Sequence, residues 1–136
     1  MRFMMIMIPN VYQAGKQVDP NFVPPADMVA EMSKYNEDLA KAGALISLNG
    51  LRPLSAGARV SFDRGKPTVT DGPHAEAKEV IGGYWMLQFK NKQEAIDWAK
   101  RCPAQDGDVL EIRPVYEMED FRDDVRKAAN DPSVGR

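Results

Sequence analysis

An α+β fold with its elements in split βαβ order is what this chain predicts, and three observations predict it. Residue periodicities along the chain run strand, helix, strand, hairpin, strand, helix, strand. The 136 residues suit one domain of the usual size, roughly 150. Two of the strands are apolar on both faces, which calls for a covering layer on each side of the sheet.

Residues 2–8 read as the first strand, with Phe3, Met5 and Met7 on one face and Met4, Ile6 and Ile8 on the other. Residues 10–23 are polar and rich in turn formers, so a long loop is expected, of a length that often carries function. Pro25 fits a first helical position and Asp27 complements the dipole of the helix that follows. Met28, Met32, Tyr35, Leu39 and Ala42 make one stripe, expected as core, with Glu31, Lys34, Asp38 and Lys41 toward solvent. Gly43 is placed to stop this helix.

A second strand is expected over residues 44–48 and a bend over 50–53. Residues 59–63 and 66–70 flank Arg64-Gly65 as a hairpin. After Gly82-Gly83 comes the strand 84–89, with Trp85, Leu87 and Phe89 on one face and Tyr84 and Met86 on the other. Asn91 caps the second helix, with Glu94 in the capping-box position and Pro103 as its stop. Cys102 lies on the apolar side of that helix and reads as a buried structural thiol. The strand 109–116 turns Leu110 and Ile112 inward and Glu111 and Arg113 outward. In the tail, Met118, Phe121, Val125 and Ala128 recur at helical spacing.

Without the hairpin, this order is the ferredoxin-like split βαβ arrangement. There both helices sit on one face of an antiparallel sheet and the other face is bare. Its apolar residues need cover, and a second copy of the same sheet supplies it. A homodimer with a barrel-like α+β core is therefore expected; the tail helix is the other covering element the chain offers.

Composition excludes several classes. Eighteen Lys and Arg against twenty Asp and Glu leave a net charge of -2, unlike the basic patch of a nucleic-acid binder. One cysteine rules out an intrachain disulfide, and one histidine, His74, rules out a histidine-clustered metal centre in one chain. The apolar opening is too short for a secretory signal, and no stretch approaches the roughly 20 residues of a membrane helix. A cytoplasmic protein is expected. Neither dinucleotide nor P-loop glycine spacing occurs, and no cofactor is expected.

The densest polar cluster is Thr70-Asp71-Gly72-Pro73-His74-Ala75-Glu76-Ala77-Lys78-Glu79. His74 can move a proton near neutral pH, and Asp71 can orient its imidazole or act as a base. Lys78 and Arg52 can hold an anion. The same residues also read as turn chemistry, with Asp71 accepting backbone N–H groups ahead of Gly72-Pro73.

The run from Thr70 to Tyr84, with Asp71-Gly72-Pro73, Lys78-Glu79 and Gly82-Gly83-Tyr84, resembles the DGPF branch of the YCII-related proteins. Gly50-Leu51 with Pro53, Ala99 with Cys102-Pro103, and Glu111-Ile112-Arg113-Pro114 are similar too. The likeness spans residues 1–116, taken as one α+β domain, and leaves 117–136 as an acidic helical tail. It implies a dimeric α+β barrel. Some YCII-related proteins act on small aromatic compounds, as in dehydrochlorination of chlorinated hydroquinones, and a His/Asp pair in the dimer cleft has been proposed as catalytic. By motif, Asp71 takes that role here, whereas His74 stands where the branch usually has phenylalanine. DGPF proteins also often occur with extracytoplasmic-type sigma factors, which suggests regulation without DNA contact.

Two functions are expected from this reading. One is a small-molecule enzyme of lyase, isomerase or dehydrohalogenase-like type working in the dimer cleft. In it Asp71 and His74 carry protons, Arg52 and Lys78 hold the anion, and Tyr84 donates a hydrogen bond. The other is a non-catalytic ligand-sensing or partner-binding protein tied to a sigma factor, with the acidic run 117–124 meeting a basic surface.

Overall fold

Strand β1 (Arg2–Ile8), apolar on both sides, lies in the interior of a four-stranded antiparallel sheet. Its neighbours are β5 (Gly83–Gln88) and β6 (Val109–Pro114), and β2 (Leu45–Gly50) closes the far edge beyond β5, giving the order β2-β5-β1-β6. Helices α1 (Ala26–Lys41) and α2 (Lys92–Ala99) link β1 to β2 and β5 to β6. This is the ferredoxin-like α+β arrangement, with the hairpin β3 (Ala58–Asp63) and β4 (Lys66–Asp71) inserted between β2 and β5. The computed structural model describes residues 1–13, 18–71 and 79–130.

Local chemistry sets the boundaries. Chain reversal after α1 uses Gly43 at φ +75. Asn91 caps α2 by accepting the Glu94 N–H at 2.9 Å, while the Glu94 carboxylate reaches back to the Lys90 N–H at 3.4 Å. The hairpin turn puts Arg64 at φ 52 and Gly65 at φ 78, the pair of positive angles a type I′ turn requires.

The core lies between the helices and one face of the sheet. Phe3, Met5, Trp85, Leu87 and Phe89 meet Tyr35 and Leu39 of α1 and Ala95 of α2. Leu39 has no exposed surface, so its truncation to alanine costs roughly 2–5 kcal/mol. The Tyr35 ring meets Trp85 edge-on, and its hydroxyl donates to the Trp98 carbonyl at 2.7 Å, tying α1 to α2. Burial pushes the Tyr35 phenol well above its ordinary value.

The stripe on α1 divides. Tyr35 and Leu39 are buried as the periodicity predicts, but Met28 is exposed and Met32 only half-buried. The first turns of α1 stand off the sheet and border a cavity instead of packed core. The tail also differs from a single helix: a tight turn at Met118–Asp120 precedes α3 (Asp123–Asn130). The Asp120 carboxylate accepts the Glu117 N–H at 2.7 Å and closes that turn.

On the face away from α1 and α2, Ile6 and Ile8 are buried and Met4, Tyr84 and Met86 half-buried. α3 rests on the chain just before it, through Arg126 to the Phe121 carbonyl at 2.9 Å and the Phe121 ring on Tyr116 at 5.0 Å. The hairpin forms a separate two-stranded sheet. Its register pairs Val60 with Val69 and Phe62 with Pro67, so one face is an apolar row, and Phe62 is 75% exposed.

Among the described residues no helix is long and apolar enough to cross a membrane.

Candidate functional site

The segment 79–84 separates two cavities. One, about 770 Å³, lies at the base of the hairpin and carries Arg52, Arg59 and Glu79 on its walls. Both arginines belong to exposed stretches of chain, so their guanidinium groups keep access to water and to a ligand. Ala58 also lines this cavity, and the register of the hairpin pairs Ala58 with Asp71. The backbone of β4 therefore ends beside the wall that holds both arginines.

The other cavity, about 330 Å³, lies between the first turns of α1 and the sheet. Leu48 and Trp85 form its sheet side, Met28 and Met32 its helix side, and Tyr12 and Phe22 come from the loop between β1 and α1. The Tyr12 and Phe22 rings meet edge-on at 6.1 Å. The Tyr12 hydroxyl donates to the Leu51 carbonyl at 3.0 Å, and burial raises its pKa above the ordinary phenol value. The Asn36 Oδ1 accepts the Trp85 indole N–H at 2.7 Å.

Gln13 and Gly82 hold the wall between the cavities. The Gln13 amide pairs with both backbone groups of Val80. The Gly82 N–H donates to the Met7 carbonyl at 2.8 Å, and its carbonyl accepts the Leu51 N–H at 2.9 Å. Only a residue without Cβ fits there, because a Cβ on Gly82 would lie 2.5 Å from Pro9 Cγ.

Of the residues the sequence singles out, Arg52 lines the hairpin-base cavity and Tyr84 borders the apolar one. The Tyr84 hydroxyl accepts a hydrogen bond from Asn49 Nδ2 at 2.9 Å, which leaves its own proton to donate. Asp71 is the last residue of β4. His74 and Lys78 lie outside the described residues. Arg59, on the polar side of the hairpin by strand alternation, is a further residue of this site that joins Arg52 on the cavity wall. The apolar cavity had a signal in the aromatic residues of the long loop and the methionines of α1, but periodicity alone reads both as core.

Cys102 is half-buried, and its thiol is pushed up to about 11 by burial first and then by Asp108. A protonated thiol suits a structural role. Among the described residues no group of three or more His, Cys, Asp and Glu side chains gathers to hold a metal ion. Within the acidic run of the tail, Glu117 is held by Arg2 at 2.9 Å and Asp120 caps its turn.

A domain model described as YCII-related matches residues 1–119. An uncharacterized protein of Rhizobium meliloti (strain 1021) is 35% identical over 91 residues, which cover 65% of this chain and 70% of that protein. With the match running from β1 through β6 and the fold built as described, the chain belongs to the YCII-related family.

Proposed function

We propose that this protein is a small-molecule enzyme that does acid–base chemistry, of lyase or isomerase type, in a cleft formed by two copies of the chain. The observation that carries the reading is the hairpin-base cavity: Arg52 and Arg59 share it with Glu79, beside the backbone partner of Asp71. Two guanidinium groups favour an anionic substrate, or one that becomes anionic as it reacts. In this reading Asp71, with His74, removes a proton from carbon. The enolate or phenolate so formed is held by Arg52 and Lys78; Tyr84, expected from the sequence to join them, borders the other cavity and takes no part in this reading. Returning the proton elsewhere completes an isomerisation, and expelling a leaving group, chloride for instance, completes an elimination.

The second copy is supported by the apolar row of the hairpin, whose Val60, Phe62 and Val69 are all exposed. On the sheet face away from the helices, Met4 and Met86 keep part of their surface open, while Ile6 and Ile8 are already buried within the chain. A lone two-stranded hairpin is marginal in water. A neighbour laid against that row stabilises it by about 25 cal/mol per Å² of apolar surface removed from water.

The test is a thermal-shift screen of phenols and small aromatic acids, followed by turnover of any stabilising compound. Arg52→Ala with Arg59→Ala should abolish stabilisation by the aromatic acids and turnover of any compound, and Asp71→Asn should stay folded, bind and fail to turn over. A compound that binds wild type through the arginines without turnover points instead to the ligand-sensing role. Loss of folding in Asp71→Asn, with no ligand found, sinks the enzymatic reading in favour of a turn-forming Asp71.

A further inference from the structure

We propose that the apolar cavity between α1 and the sheet is a second binding site, for a neutral ring compound that carries a hydrogen-bond acceptor. The cavity is a cleft open to solvent at Met28 and Val29, and its volume of about 330 Å³ is roughly ten times the share of a water molecule in the liquid. An engineered cavity of roughly 150 Å³ takes up benzene, and sites for small molecules begin near 300 Å³. The volume here suits two fused rings, or one ring with a short side chain.

The lining selects the same class. Met28 and Met32, one turn apart on α1, present flexible thioethers that adapt to a flat ligand. Trp85, Tyr12 and Phe22 offer ring faces and edges from the other sides. Asn36 supplies the polar anchor. Its Oδ1 is taken by the Trp85 indole, which fixes the amide, and its Nδ2 has no acceptor among the described residues. A carbonyl, ether or phenol oxygen on the ligand gives it one.

The described walls disfavour an anion. No lysine or arginine lines this cavity among the described residues, and its one carboxylate, Asp108, accepts the N–H groups of Asn10 and Gln105, each at 2.8 Å. An anion entering here would lose its hydration and face a carboxylate. The hairpin-base cavity, with its two arginines, has the opposite preference, so the two sites sort ligands by charge.

Calorimetric titration of the full chain with naphthol and with naphthoate, the same rings without and with a negative charge, tests this. Naphthol should bind saturably, one per chain, and naphthoate at least tenfold more weakly. Met32→Trp fills the cavity from α1 and should weaken naphthol at least tenfold while the melting temperature holds or rises. Leu48→Phe does the same from the sheet and serves if the first variant fails to fold. The variant with Arg52 and Arg59 both replaced by alanine should bind naphthol like wild type, so this site is read independently of the proposed enzymatic one. Absence of saturable naphthol binding by wild type, equal binding of naphthoate, or binding untouched by the folded filling variants overturns the proposal.

Discussion

Gln13 grips both backbone groups of Val80: its Oε1 accepts the Val80 N–H at 3.0 Å and its Nε2 donates to the Val80 carbonyl at 3.1 Å. Sixty-seven positions apart in sequence, the two residues meet as neighbouring strands would. Val80 borders the hairpin-base cavity, and the loop that carries Gln13 also carries Tyr12 of the apolar cavity. Gln13→Ala leaves two partly buried backbone groups unpaired, an expected loss of about 1–3 kcal/mol. Gln13→Glu keeps the acceptor and loses the donor, so its loss should be smaller at low pH, where a protonated acid donates again. Urea unfolding of both variants across pH measures this; equal stability of wild type and Gln13→Ala would refute the coupling.

Arg2 and Glu117 join the first strand to the tail by paired hydrogen bonds at 2.9 and 3.2 Å. The hydrogen bond from Arg2 holds the Glu117 carboxyl below its ordinary value, with the attraction between the charges acting in the same direction. A carboxyl depressed in the folded state contributes stability above its unfolded pKa, about 4.3, and that contribution is lost as pH falls through the lower folded value. Glu117→Gln should therefore melt below wild type at pH 7, with the gap narrowing through pH 4 and closing in stronger acid. The pair is only half-buried, so the gap should also shrink in high salt. A gap that is constant with pH shows that packing, not charge, ties the tail down.

Cys102 should be slow to react while the chain is folded. With its pKa raised to about 11, the thiolate fraction near pH 8 is about a hundredfold below that of an unperturbed thiol. Labelling by a disulfide reagent should thus be at least that much slower in native protein than in urea. The raised thiol pKa also makes stability fall as pH climbs past the ordinary thiol value, because the unfolded chain then gives up the proton more readily. Fast native labelling at pH 8 would contradict the burial seen here.

Phe62 tests the proposed pairing of chains. It is 75% exposed on the apolar row of a hairpin that touches little else among the described residues. Phe62→Asp puts a charge in that row without disturbing the packed core, so the protein should stay folded and run as a monomer in light scattering, while wild type runs as a dimer. A wild-type monomer at micromolar concentration, or a dimer that Phe62→Asp leaves intact, removes the hairpin from the interface.

How far the sequence can be read follows from which interactions are local. The double-sided apolar strands, the cap at Asn91 and the positive-φ turn at Arg64-Gly65 depend on neighbours within a few residues, and all three are legible. The stripe on α1 shows which side of the helix faces the body, but not that the sheet falls away beneath Met28 and Met32. The Gln13–Val80 contact joins residues 67 positions apart and depends on three-dimensional closure, which no spacing encodes. In the tail, helical spacing holds, yet the Asp120 carboxylate competes for the Glu117 N–H and splits the run into a turn and a helix.

Gly82 is the residue where stability and ligand binding should fail together. An added Cβ would stand 2.5 Å from Cγ and 2.8 Å from Cδ of Pro9, part of a stiff ring that cannot swing aside. Overpacking of this kind costs roughly 1–3 kcal/mol, so Gly82→Ala should melt several degrees lower. Relief comes by moving Pro9, and with it the turn Asn10–Tyr12 that brings Tyr12 to the apolar cavity. Naphthol affinity should drop in Gly82→Ala, beyond any loss in Gly57→Ala, where the nearest atom stands 3.6 Å away. The Gly82 N–H bond to Met7 should meanwhile exchange faster with deuterium than in wild type. If Gly82→Ala melts and binds like wild type, Pro9 yields without cost, and the close approach does not hold the cavity wall.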